Sequence, residues 1–430
     1  MTIVKDAYAV VKNEINNRSW WQMQEAVCLT NFKRESFCRV LAEDIIARRD
    51  APPFAKALMD GIAISKNYQE NSWLQIIGTI RAGDAKEVVH TLSNKMQLTT
   101  DAAIEIMTGA PVPENCMAII PYEEIVIAAD RVTQFPDNVL PGQNIARGGS
   151  DYRKGDLLFR RGGPLCTGTT GVLLSQGIFH VKVNYCPEVV IVSTGDEIAL
   201  PEEQVEVDDY RIRASNPFVI AEELLALGLS KISWLHLKDN EEEMQKGIGK
   251  ILGKEKGKEK IILLIGGVSK GKFDYVPTVL EKLKVSKLFH RVQQRPGRPF
   301  YFGVSLGGDL LFGLPGNPLS ALMVLRRYLV TAWSELLHGE EECLVEFPRD
   351  YWKELRLQEE FCHFIPVKLA CERKGYFIAT PCYPRNSGDE LALRGTDGFV
   401  EISWESLLKS KELSPGDEKL WVPYYQWVNR

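Results

Sequence analysis

Six short stretches of the chain carry residues suited to chemistry at an anion. "IILLIGGVSKGKFD" runs from an apolar segment into Gly266 and Gly267, passes Ser269, and ends at Phe273 and Asp274. Up to Lys272 the spacing is that of a phosphate-binding P-loop, whose next residue should be a hydroxyl that holds magnesium. Phe273 has none, which argues against a P-loop nucleotide triphosphatase. The glycines still let backbone N–H groups approach an anion, and a following helix adds partial positive charge. Asp274 can ligate a hydrated magnesium ion. The same stretch also reads as a plain tight turn with Asp274 as a helix N-cap. "STGDE" places Asp196 beside Glu197, either a metal ligand or base, or only an acidic turn. "GLPGNP" sets Pro315 and Pro318 around a Gly-Asn turn, which leaves carbonyls and the Gly316 N–H available or simply turns the chain. "RPGRP" offers the guanidinium groups of Arg295 and Arg298 to an oxyanion, or is an exposed basic turn. "MDG" and "MTG" put Asp60 and Thr108 each beside a glycine, and each can be no more than a turn.

Other chemistries fit poorly. Six histidines do not cluster, so a histidine metal site or a Ser-His-Asp triad is not expected. Nine cysteines are scattered without a CxxC pair, as in a cytoplasmic protein with reduced thiols. A net charge of −5 gives no reason to expect nucleic acid or an anionic membrane as partner. The first residues, "MTIVKDAYAVVKNEINN", do not read as a signal peptide, and no apolar run is long enough to span a membrane.

The elements that must position these residues are legible in outline. A chain of 430 residues predicts two to four domains. Three times between 187 and 337 an apolar strand-like run ends in a Gly- or Pro-bearing loop before a helix: "EVVIVSTGDE", "KIILLIGGVSKG" and "DLLFGLPGNP". That alternation predicts a doubly wound, mostly parallel sheet. Ligands of such sheets bind outside the carboxyl ends of the strands, so the three loops should share one crevice. Asn216 is expected to N-cap a helix that Gly228 stops, and the third helix should begin at or just after Pro318. Residues 1–26 show helical spacing, and 246–260, rich in Lys and Gly, read as a solvated loop. Residues 51–146 suggest a β-rich insert, and short strand-like runs beyond 340 suggest a small β-barrel or sandwich.

Nine stretches in order, from "RVLAEDIIARRDAPPF" through "MDGIA", "IMTGAPVP", "NIARGGSDYRKGD", "VVIVSTGDEI", "SNPFVIAEELLALG", "GGVSKGKFD" and "FHRVQQRPGRPFYFG" to "LFGLPGNPLSA", resemble the molybdopterin molybdenumtransferase family of MoeA and gephyrin E-domain type. The resemblance implies an elongated homodimer of four parts. These are an α/β molybdopterin-binding-like domain (1–26 and 182–337), a segment-swapped connector (27–50 and 147–181), a β-rich insert (51–146) and a C-terminal β-barrel (338–430). It implies insertion of molybdate into adenylylated molybdopterin with release of AMP, assisted by Mg2+, in a cleft at the dimer interface. By motif, Asp60 and Thr108 belong to the insert facing the α/β loops. Glu197 and Asp274 join them as catalytic groups, and Asp151, Asp239 and Asp274 become metal ligands. Gly266, Gly267, Ser269, Arg295, Arg298, Pro315, Pro318 and Ser387 become substrate or anion contacts.

The chain departs from the family pattern at several places. Ala55, Lys56 and Ala57 replace an Asp-Asn-Ser type segment, Ile62 replaces Tyr, and Glu105 replaces Arg. Ile265 stands for a small hydroxyl residue, Arg295 and Arg298 stand for lysines, and Pro366 stands where the barrel carries Arg. These departures keep a second reading open, a non-catalytic molybdopterin-binding or scaffolding paralogue of the same fold.

Overall fold

A computed structural model describes residues 1–31, 39–66, 73–136, 138–201, 210–253, 258–269, 271, 273–339, 342–348, 351, 357–372, 375–386, 388–406, 408 and 419–427. The chain forms two compact units, Met1–Glu43 with Arg161–Arg430, and Asp44–Arg160.

The first unit is built on a six-stranded mixed sheet. Its strands lie in the order Ile232–Leu237, Val189–Thr194, Ile261–Ile265, Leu310–Leu314, Tyr301–Val304 and Ser286–His290. The first four are parallel and the last two antiparallel to their neighbours. The central runs are apolar without alternation because both faces are covered. Val189, Ile191, Leu263 and Phe312 pack on one side with the helices Val4–Asn16, Asn216–Ala226 and Pro318–Leu325. Val190, Val192, Ile262 and Leu264 pack on the other with Met244, Ile248, Val276 and Val279.

Three local expectations change. Residues 246–251 are not loop but the end of a helix, Glu241–Ile251. Asn240 caps it by accepting the Glu243 N–H at 3.0 Å, and three glutamates occupy its first turn, where the helix dipole favours them. Only Met244 and Ile248, four apart, need burial, so the Lys- and Gly-rich remainder conceals the helix. Ser215 rather than Asn216 occupies the N-cap position of the helix over 216–226, without a side-chain capping bond, although the turn at Gly228 is as expected, with φ +81°. Within 1–26 the helix ends at Asn16, and Gln24–Cys28 forms a strand against His180–Asn184.

Beyond the sheet, five strands close on themselves. Cys362–Cys371 pairs with Phe377–Pro381, which pairs with Leu344–Pro348, then Lys419–Gln426, then Gly398–Ile402, which returns to Cys362–Cys371. Phe347, Val367, Val400 and Val422 fill the interior. The short strand Gln294–Arg295 runs parallel to the start of Cys362–Cys371, so the RPGRP turn begins on this barrel.

The Asp44–Arg160 unit carries its own six-stranded sheet, in the order Cys116–Pro121, Gly61–Ser65, Ala102–Ile106, Leu74–Ile80, Arg131–Gln134 and Val126–Ala128. Its helix Lys86–Leu98 buries Leu92 and Met96 in a core with Ile80 and Ile104, and Ile62 and Ile64 face a second cluster.

Candidate active site

Parallel register brings the loops of the first unit together. Thr194 pairs with Leu237, Ser193 with Ile265, and Ile265 with Leu314, so four strands end at one level. The loops that leave them line one cavity of about 880 Å³. Of the residues singled out by sequence, Glu197, Asp239, Gly266, Gly267, Ser269, Asp274, Pro315 and Pro318 all face it. The expected convergence at the carboxyl ends of the strands is therefore met.

The Gly266–Asp274 loop owes its path to its glycines. Gly266 and Gly267 have φ of +89° and +64°. A Cβ on Gly266 would lie 2.9 Å from Thr194 Oγ1 and 3.2 Å from the Thr194 carbonyl oxygen, so no side chain fits there. The Gly266 N–H donates to Leu314 O at 3.1 Å, which ties this loop to the GLPGNP turn. Asp274 accepts the Gly271 N–H at 2.5 Å and closes the turn. It does not cap the next helix, Val276–Lys282, whose N-cap is Tyr275. Asn216 contributes beyond its helix, donating from Nδ2 to Gly316 O at 2.7 Å. Its short amide in the "SNP" stretch was the available signal for this role.

Acidic groups dominate one side of the cavity. Burial raises the Asp239 pKa above the ordinary carboxylate value, and the charges of Glu197, Asp196 and Asp274 raise it further. Among the described residues, no group of three or more His, Cys, Asp or Glu side chains is gathered closely enough to hold a metal unaided. The arrangement fits magnesium all the same, because that ion is commonly held by one or two carboxylates, with water and substrate phosphate as its other ligands. A cation there would also relieve the mutual repulsion recorded at Asp239.

The barrel side contributes residues the sequence reading passed over. Ser387 lies outside the described residues, but its neighbours Gly388 and Glu390 line the cavity. Glu390 accepts from Ser215 Oγ at 2.6 Å, at the start of the Asn216 helix. Arg295 and Arg298 are not among the lining residues, whereas the adjacent Pro299 is. Their guanidinium carbons stand 4.9 and 5.4 Å from the centroid of the Phe361 ring. The turn is pinned from behind: Gln294 Nε2 donates to Gly297 O at 2.8 Å, and Tyr328 donates to Gln294 Oε1 at 2.5 Å.

The Asp44–Arg160 unit assembles a separate pair. Asp60 precedes the strand Gly61–Ser65, Thr108 follows Ala102–Ile106, and Gly61 pairs with Ile106. Asp60 Oδ1 accepts both the hydroxyl and the N–H of Thr108, each at 2.6 Å. Those two bonds lower the Asp60 pKa, the hydroxyl more than the amide. Gly61 is required by close approach, because a Cβ there would sit 2.0 Å from Ile120 O. The departure at Glu105 is absorbed locally: Thr79 Oγ1 donates to its carboxylate at 2.7 Å. Burial raises the pKa of Tyr122, and its bond to Glu105 raises it further. Asp151 is exposed and accepts from its neighbour Ser150 at 3.1 Å.

Comparison with known proteins agrees on one family. Residues 2–177 match the MoeA N-terminal region (domain I and II), and residues 190–335 match a probable molybdopterin binding domain. A molybdopterin molybdenumtransferase of Synechocystis sp. is 33% identical over 371 residues, covering 85% of this chain and 88% of that protein. One from Haemophilus influenzae is 32% identical over 310 residues, covering 72% of each. A crystal structure of the molybdopterin biosynthesis moeA protein from Pyrococcus horikoshii OT3 superposes with a TM-score of 0.68 at 25% identity, covering 99% of this chain and 100% of that one.

Proposed function

The chain belongs to the molybdopterin molybdenumtransferase (MoeA) family, and from that premise we propose that it inserts molybdate into adenylylated molybdopterin and releases AMP. One observation carries the reading: four strand-end loops, far apart in sequence, meet in a cavity lined by both a glycine turn and a group of carboxylates. The substrate is anionic at its phosphates and so is molybdate. The Gly267 N–H and the Ser269 hydroxyl are donors for such groups. Asp239 and Asp274 would hold magnesium; bound there, the ion would supply positive charge where the phosphate leaves. Glu197, on the same wall, takes a proton from the attacking group. Pro315 and Pro318 hold the neighbouring turn rigid beside the molybdate. Within the Asp44–Arg160 unit, Asp60, kept ionised by Thr108, is a proton acceptor in its own right. A homodimer with a segment-swapped connector is part of the same proposal.

A second reading, binding without turnover, is favoured by Glu105, where an acid bonded to Thr79 replaces the family's arginine. Asp274→Ala tests the leading one. Turnover should fall by about 100-fold, with the concentration of magnesium required rising and thermal stability little changed, because the side chain lies in a strand-end loop. An unchanged rate and magnesium dependence would remove Asp274 from the site.

A further inference from the structure

Phe273 is the residue that broke the P-loop pattern, and nothing in the proposed chemistry uses it. It lines the candidate cavity yet is 62% exposed. Tyr275 packs against it at an interplanar angle of 73°, with ring centroids 6.5 Å apart, which orients the ring. Ile212, from the short strand Ile212–Arg213, lines the same cavity and is 59% exposed. Two large apolar side chains are thus more than half exposed in a cavity that is also lined by glycines, prolines, carboxylates, Arg213 and the apolar Ile198 and Val268. Solvent-exposed apolar surface carries a free-energy cost that contact with a flat, weakly hydrated ring would reduce.

We propose that Phe273 is a substrate-binding residue that stacks on a planar heteroaromatic ring of the substrate, with Ile212 as an apolar contact in the same cavity. The inference rests on the function proposed above, whose substrate carries two such rings, the adenine and the pterin. Phe273 adjoins Asp274, so the stacked ring would sit next to the phosphates that the proposed metal faces.

The test measures binding of AMP, molybdopterin and adenylylated molybdopterin to the full chain, with Phe273→Ala, Phe273→Leu and Phe273→Tyr beside the wild type. Base-on-aromatic stacking of the usual strength predicts that Phe273→Ala weakens binding about 10-fold. KM should rise with kcat little changed, and melting temperature should not move. Phe273→Tyr should stay within about two-fold of wild type, and Phe273→Leu should behave like Ala because it lacks a π face. A loss confined to AMP assigns the ring to adenine, and a loss confined to molybdopterin assigns it to the pterin. Wild-type affinity in Phe273→Ala for all three ligands overturns the inference while leaving the proposed function standing. Wild-type affinity in Phe273→Leu, with Ala weakened, replaces stacking by simple apolar contact and also overturns it. A wild-type protein that binds none of the three overturns the proposed function, and this inference with it.

Discussion

At the scale of single residues, the Asp60–Thr108 pair gives the clearest electrostatic consequence. Two donors on one carboxylate oxygen keep Asp60 ionised below the ordinary aspartate range. With the folded pKa depressed, the stabilisation from these bonds is complete above the unfolded value, about 3.9, and is lost as the pH falls through the folded value. Thr108→Val removes the stronger donor and keeps the N–H. The Asp60 pKa should then rise toward its ordinary value, and the acid limb of the kcat/KM profile should move to higher pH. A carboxyl titration followed by NMR checks the first, and an acid limb that stays in place would deny Asp60 a role as base. Asp239 shows the opposite case. Its carboxylate is half-buried among like charges, so it takes up a proton more readily than an isolated aspartate.

At the scale of elements, the cavity depends on turns that admit little variation. Gly266 combines a φ of +89° with Thr194 Oγ1 2.9 Å from any added Cβ. Gly266→Ala should cost about 1–3 kcal/mol of stability through backbone strain alone. Because the same residue leads the proposed anion turn, KM should rise as well. Denaturant titration and steady-state kinetics together read both effects; full stability with an unchanged KM would show that the turn is not the anion cradle. The three strand-loop-helix units were legible in the sequence because buried parallel strands leave uninterrupted apolar runs, as in "IILLI" and "VVIV". The helix Glu241–Ile251 was not, since only two of its residues are buried and its glycines argue against helix. One of those glycines has a packing reason: a Cβ on Gly247 would lie 2.8 Å from Leu237 Cδ2. The placement of Arg295 and Arg298 was equally hidden, because it depends on Phe361, some sixty positions away, and on the pairing of Gln294–Arg295 with the barrel. Glu390 was missed for a similar reason, as its contact with Ser215 joins segments 175 residues apart.

At the scale of the whole molecule, charge sets the problem the site must solve. The chain carries a net −5, and among the described residues Glu197, Asp239, Asp274 and Glu390 border the cavity against one cationic side chain, Arg213. An anionic substrate is repelled by such a field unless a cation intervenes, so binding and turnover should both require magnesium rather than be merely improved by it. Family membership, the strand-end cavity and the acid-lined wall all support the proposed reaction, while Glu105 and Pro366 depart from the pattern that the family resemblance implies. The decisive measurement is AMP release from adenylylated molybdopterin by the full chain, alongside a relative that keeps every family motif. The account predicts release that requires molybdate and magnesium together and that stops when either is withdrawn. No release at saturating molybdate and magnesium, while the relative turns over and this chain still binds the substrate, would contradict it and leave a binding protein in place of an enzyme.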